Sequence, residues 1–166
     1  LTLPNFSVAD VGRLYAQHTE DTGRAFAAEA VERAFWWTNG QPFLVNALAA
    51  ACVDELVTDR TTTITATHID RAKEALVLSR TTHLDALGQR LREGRVARVV
   101  QAVILGDADV AYDSDDFTYT VDLGLIAHSK AGAAIANPLY REVLARELSY
   151  RVQQNLPEPW WPWSRR

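Results

Sequence analysis

The chain has 166 residues, 48% of them apolar and 23% charged, and a formal net charge of −4. That apolar content suffices for a real core, in one domain or in two small ones. The acidic balance argues against a dedicated nucleic-acid binder, no stretch approaches the roughly 18 apolar residues of a membrane span, and a single cysteine, Cys52, excludes an intramolecular disulfide.

Taken in chain order, Ser7 is placed to cap a first helix, with Asp10 three residues later as a weaker form of the capping box. Val8, Val11, Leu14, Tyr15 and His18 follow at helical spacing until Thr22-Gly23 breaks the pattern. A second helix is predicted from about Ala27 to Thr38, with Ala30, Val31, Ala34 and Phe35 inward and Phe26 placed as a staple. Asn39-Gly40 is a strong stop, because both residues tolerate positive φ after a helix. Pro42 suits the first turn of a third helix, where its missing N–H costs nothing. That helix is predicted to reach about Val57, with a wide apolar stripe of Leu44, Val45, Leu48, Ala49, Cys52, Val53 and Leu56. Cys52 on that stripe reads as a small core residue rather than a nucleophile.

A polar loop over 58–63 leads to Thr65 or Thr67, either of which can cap a fourth helix carrying Ile69, Ala72 and Leu76. A fifth helix covers Leu84, Leu87 and Leu91, with Gly94 weakening or ending it. A sixth holds Val96, Val99, Val100, Val103 and Ile104 and stops at Gly106. Asp113 or Ser114 can cap a short seventh helix running to Leu123, ended by Gly124. The runs 125–128 and 133–136 around a turn at 129–132 read as a β-hairpin. Pro138 then opens a last helix with Leu139, Val143, Leu144, Leu148 and Val152 inward. The tail holds Pro157, Pro159 and Pro162 among Trp160, Trp161 and Trp163, so it cannot be regular helix. Indoles are costly to leave in water, and the tail is expected to pack on this chain or on a neighbouring domain.

The order helix, short helix, Asp122-Leu123-Gly124-Leu125-Ile126, hairpin, helix resembles a winged helix. The first half, with Phe26, Glu29 to Glu32, Gly40 to Ala49, and Ile64-Thr65 followed by Ile69 and Ala72, resembles the helical lid of a STAND or AAA-like P-loop ATPase. The resemblance implies a mainly α chain: a helical lid domain at 1–82, a winged-helix domain at 83–155 with one short hairpin, and a Pro/Trp-rich tail at 156–166. It also implies that Gly40, Gln41 and Pro42, in a Gly-x-Pro turn, and Asn137 lie near a bound nucleotide. In related plant and animal nucleotide-binding receptors a His occupies the place of Asn137 and contacts the diphosphate; Asn donates one amide hydrogen bond without charge. Asn137 also suits the N-cap before Pro138.

The sequence departs from that family where catalysis would lie. It holds no Gly-x-x-x-x-Gly-Lys-Ser/Thr loop and no strand ending in an acidic pair. Leu1 as first residue and the absence of Met lead to the expectation of a piece of a longer chain. The resemblance then implies a regulatory portion, not an enzyme alone, with no cofactor of its own. ATP or ADP with magnesium would belong to the full-length protein, and the partners would be a missing N-terminal nucleotide-binding domain and other protein domains. Residues 1–6 lack the charged start and apolar run of a signal peptide, so a cytoplasmic location without a membrane is expected by elimination.

The alternative is a winged-helix DNA-binding regulatory domain. Against it, the segment that would enter the major groove carries Asp113, Asp115, Asp116 and Asp122, with no Lys or Arg between Arg98 and Lys130. Arg90, Arg92, Arg95 and Arg98 form a basic stretch that reads as a solvated surface, or as a contact for phosphates, nucleic acid or a missing domain. His18, His68, His83 and His128 lack metal-ligand spacing, and His83 near Asp85 has no evident nucleophile.

Overall fold

The structure is a computed structural model that describes residues 4–79, 82–107, 114–129 and 132–154. Asp113, Lys130 and the Pro/Trp-rich tail lie outside these residues. The fold is mainly α with one short antiparallel hairpin.

Helix α1 (Val8–Thr22) starts where the Ser7/Asp10 spacing predicts. The Ser7 hydroxyl accepts from the Asp10 amide at 3.2 Å, and the Asp10 carboxylate accepts from the Ser7 amide at 2.9 Å. Both halves of the capping box are therefore made. Its inward Tyr15 is buried and donates to the Val45 carbonyl at 3.0 Å, which satisfies the phenol in an apolar setting.

Helix α2 (Ala28–Thr38) begins one residue later than the pattern suggests, because Ala27 is held outside it. The Ala27 amide donates to the Ile64 carbonyl and the Ile64 amide to the Ala25 carbonyl, a parallel bridge joining two loops. Phe26, inside that bridge, lies 4.4 Å from the Tyr15 ring.

Helix α3 (Pro42–Ala50) differs from expectation at its end. The rod continues, but Ala51–Leu56 form a π-helical turn in which the Val57 amide donates to the Cys52 carbonyl at 3.0 Å. The Arg24 guanidinium donates to the carbonyls of Val53 and Val57, which the wider turn leaves without helical partners. Helix α4 (Ala66–Leu78) follows a Thr65 cap whose reciprocal partner is His68, so His68 serves the helix end.

Helix α5 (Thr82–Arg90) ends before Gly94. Gly94 does not close it; it is the first residue of α6 (Gly94–Leu105), after turn bonds from Arg92 to Gln89 and from Glu93 to Arg90. Gly106 ends α6. Ser114 caps α7 (Asp115–Asp122) by accepting from the Phe117 amide at 3.2 Å. Strands β1 (Ile126–Ser129) and β2 (Gly132–Ile135) pair antiparallel with Ile126 opposite Ile135. Helix α8 (Pro138–Gln154) packs against α2, α5, α6 and β2. One core therefore runs from Val11 and Tyr15 through Leu48, Ile69 and Leu91 to Phe117, Leu139 and Leu144. Among the described residues, no helix is long and apolar enough to cross a membrane.

Candidate functional site

The turn between α2 and α3 holds two successive residues in the left-handed region. Asn39 has φ +48° and Gly40 φ +73°. Gly40 is required twice over: the positive φ suits glycine, and a Cβ there would sit 1.9 Å from the Phe6 carbonyl oxygen. The N-terminal strap lies across the turn, with the Phe6 amide donating to the Gly40 carbonyl at 2.8 Å and the Asn5 side chain to the Asn39 carbonyl at 3.0 Å.

The turn's polar groups are largely consumed by the fold. The Gly40 amide donates to the Thr38 hydroxyl at 3.2 Å, and the Gln41 amide to the Thr38 carbonyl at 3.0 Å. The Gln41 side chain caps α3 by accepting from the Leu44 amide at 2.8 Å, and Pro42 is the first helical residue. Gly40, Gln41 and Pro42 thus shape a rigid corner.

Asn137 lies far away in sequence and next to that corner in space. The Asn39 side-chain amide donates to the Ala136 carbonyl at 3.2 Å, joining the turn to the residue before Asn137. Asn137 is 3% exposed, and its side-chain oxygen caps α8 by accepting from the Tyr140 amide at 2.8 Å. Its side-chain nitrogen makes no hydrogen bond among the described residues. A cavity of about 780 Å³ opens beside it, walled by Trp36, Trp37, Leu105, Ile135, Asn137 and Arg141. A second hollow of about 400 Å³ shares Trp36 and Pro138 and includes Val8 and Asn39. Of the four residues singled out from sequence, Asn137 alone is among the lining of the larger cavity; the Gly40–Pro42 turn is joined to its neighbourhood through Asn39 and Ala136.

The joint between the two halves holds a charge that the sequence pattern hid. Lys73 is 5% exposed on α4; its ammonium lies 2.8 Å from the Glu142 carboxylate on α8 and 4.5 Å from the centre of the Trp37 ring. Glu74 and Arg146 complete the cluster. Burial pulls the Lys73 pKa down, but the hydrogen bonds and charges of Glu142 and Glu74 outweigh it, and the net direction is up. An apolar repeat read at helical spacing passes over such a residue, because the distant Glu142 and Trp37 help Glu74 make it tolerable in the core.

The arginine stretch is partly engaged. Arg90 and Arg95 pair with Glu93, Arg95 lies 3.6 Å over the Tyr119 ring, and Arg98 reaches Asp116 on α7 at 3.2 Å. So α7 has a basic neighbour after all, supplied from α6. Cys52 is fully buried, and burial pushes its thiol up to about 12, as suits a core residue. The described His, Cys, Asp and Glu side chains form no cluster of three or more able to hold a metal ion.

No family model matches the chain, and no curated protein matches it. Among solved structures, a RuvB variant from Thermotoga maritima is similar over 93% of this chain and 51% of that one, with 16% identity and a TM-score of 0.46. The chain spans about half the length of that structure.

Proposed function

We propose that this chain is a nucleotide-state sensing and inter-domain coupling module of a STAND or AAA-like ATPase, without catalytic activity of its own. The observation that carries the reading is the meeting of the Asn39–Pro42 corner with the start of α8, through Asn39 and Ala136, beside a cavity lined by Asn137. A sensor needs two elements that one ligand can touch together, and a rigid link between them.

The chemistry at the cavity suits an anionic ligand. Asn137 offers an amide donor, and Arg141 follows one helical turn later on the same face and lines the same cavity. No ion pair engages Arg141 among the described residues. The first turn of α8 adds a favourable dipole end. Residues that would meet a diphosphate are thus Asn137 and Arg141; the Gly40–Pro42 turn would hold the corner in shape. Lys73 and Glu142 would carry the state of the site across to α4. The sequence has no phosphate loop and no acidic pair for magnesium, so turnover would rest with another domain.

Asn137→Asp tests this directly. Asp keeps the acceptor that caps α8 and removes the donor aimed at an anion. In the full-length protein the variant should keep its thermal stability and lose about tenfold in ADP affinity, the scale of one charge-assisted hydrogen bond. Unchanged ADP affinity, or the absence of a Walker A and Walker B sequence encoded upstream of Leu1, would overturn the reading.

A further inference from the structure

A third hollow lies along the later turns of α8, away from Asn137. It has a volume of about 450 Å³ and runs between the end of α4, one face of α5 and the later turns of α8. Leu78, Leu84, Gly88, Arg92, Val143 and Tyr150 line it. Its lining is mixed, with Asp85, Gln89, Arg146 and Glu147 beside an apolar strip whose ends are open: Leu78 is 72% exposed and Tyr150 50% exposed. Arg92 stands in it with no ion pair among the described residues.

We propose that this groove is the docking site of the chain's own segment 156–163, which carries Trp160, Trp161 and Trp163.

Tyr150 lies one turn before Gln154, the last described residue of α8, about 6 Å along the axis, and Val143 about 16 Å back. Residues 155–159 can span about 16 Å when extended, so Trp160 and Trp161 reach the groove from end to end. Pro157 and Pro159 cannot continue a regular helix.

The groove offers what indoles seek. Leu78, Val143 and Tyr150 supply apolar and aromatic surface, and the Arg92 guanidinium can lie over an indole face. A tether of about five residues also gives the segment an effective concentration near millimolar. A second copy of the chain, present at micromolar levels, competes poorly with that.

The test is a double-mutant cycle on the whole chain. One arm changes the groove, Leu78→Gln with Tyr150→Ser; both side chains are exposed, so the core stays intact. The other arm changes Trp160, Trp161 and Trp163 together to Ser. Urea unfolding should show the groove change lowering the folding equilibrium constant about tenfold when the three Trp are present and less than twofold when they are Ser. Equal effects in both backgrounds would overturn the proposal. A synthetic peptide of residues 155–166 added to the Trp-less chain should shift the amide resonances of Leu78, Gly88, Arg92 and Tyr150. Shifts confined to another face, or none, would overturn it. So would light scattering that shows a dimer which the Trp changes dissolve, since the occupant would then be a second copy.

Discussion

Replacing Gly40 with Ala should destabilise the chain by about 2–4 kcal/mol, and the structure says where that comes from. An L-residue held in the left-handed region costs about 1–2 kcal/mol. The new Cβ would also stand 1.9 Å from the Phe6 carbonyl oxygen and 2.9 Å from its carbon, both backbone atoms with no freedom to rotate away. The strap must therefore lift, and the bond from the Phe6 amide to the Gly40 carbonyl is lost with it, about 1 kcal/mol more. Gly106 supplies the control. It has φ +71°, and nothing lies within 4 Å of a Cβ built there. Gly106→Ala should cost only the conformational part, about 1–2 kcal/mol. Urea unfolding of both variants gives the difference between them, which isolates the close approach. Amide hydrogen exchange at Phe6 should accelerate in Gly40→Ala and stay unchanged in Gly106→Ala. Equal destabilisation by the two substitutions, with Phe6 still protected, would refute the argument that the strap dictates this glycine.

Lys73→Met should lower stability by about 1–3 kcal/mol, less than a fully buried broken pair costs, because Arg146 remains beside Glu142 and Glu74. The same variant tests pH dependence. Hydrogen bonding by Lys73 holds the Glu74 carboxyl below its usual 4.5, so its stabilising share is present above 4.5 and fades as pH falls through the lower folded value. Lys73 is raised above 10.5, so its share is present below 10.5 and fades as pH rises through the higher folded value. Denaturation curves of Lys73→Met should show a shallower loss at both limits; limbs identical to the parent chain would count against the cluster. Cys52 should resist a thiol reagent at pH 8 in the native chain and react fully once unfolded, since its thiol is buried and titrates at about 12; rapid stoichiometric labelling of native protein would contradict this. DNA binding should be weak and lost at physiological salt, because Arg98 is tied to Asp116 and α7 exposes Asp115 and Asp122; a sequence-specific, sub-micromolar mobility shift would reverse that view.

What could be read from the chain alone was local. Ser7 with Asp10, Gly106 and Ser114 mark helix ends through bonds made within four residues, Pro42 marks one through its fixed φ, and each stands at the end it marks. The hairpin register likewise follows from two short apolar runs and a turn. Gly94 misled because an isolated glycine near a helix boundary fits a stop and a start equally well, and a new helix begins at Gly94 itself. Other features depend on partners far along the chain: Phe6 over Gly40, Arg98 on Asp116, Lys73 against Glu142. No periodicity encodes them. The link from the α2–α3 turn to the start of α8 belongs to the same class, since it rests on Asn39 reaching Ala136 across 97 positions.

The π-helical turn at Ala51–Leu56 bears on how this chain can change length. In an α-helix, successive side chains step round the axis by about 100°, so three neighbours cannot all face one core. Here Ala51, Cys52 and Val53 are all buried within the wider turn. Such a turn holds one residue more than the α-helix would need. Deleting one residue from it can be absorbed by winding the rod back to α geometry, whereas adding another has no such outlet. That rewinding would move Val53 and Val57 off the guanidinium of Arg24, so a shorter homologue would be expected to carry a different residue at position 24. Length and the identity of one distant arginine are thereby coupled through a single turn of backbone.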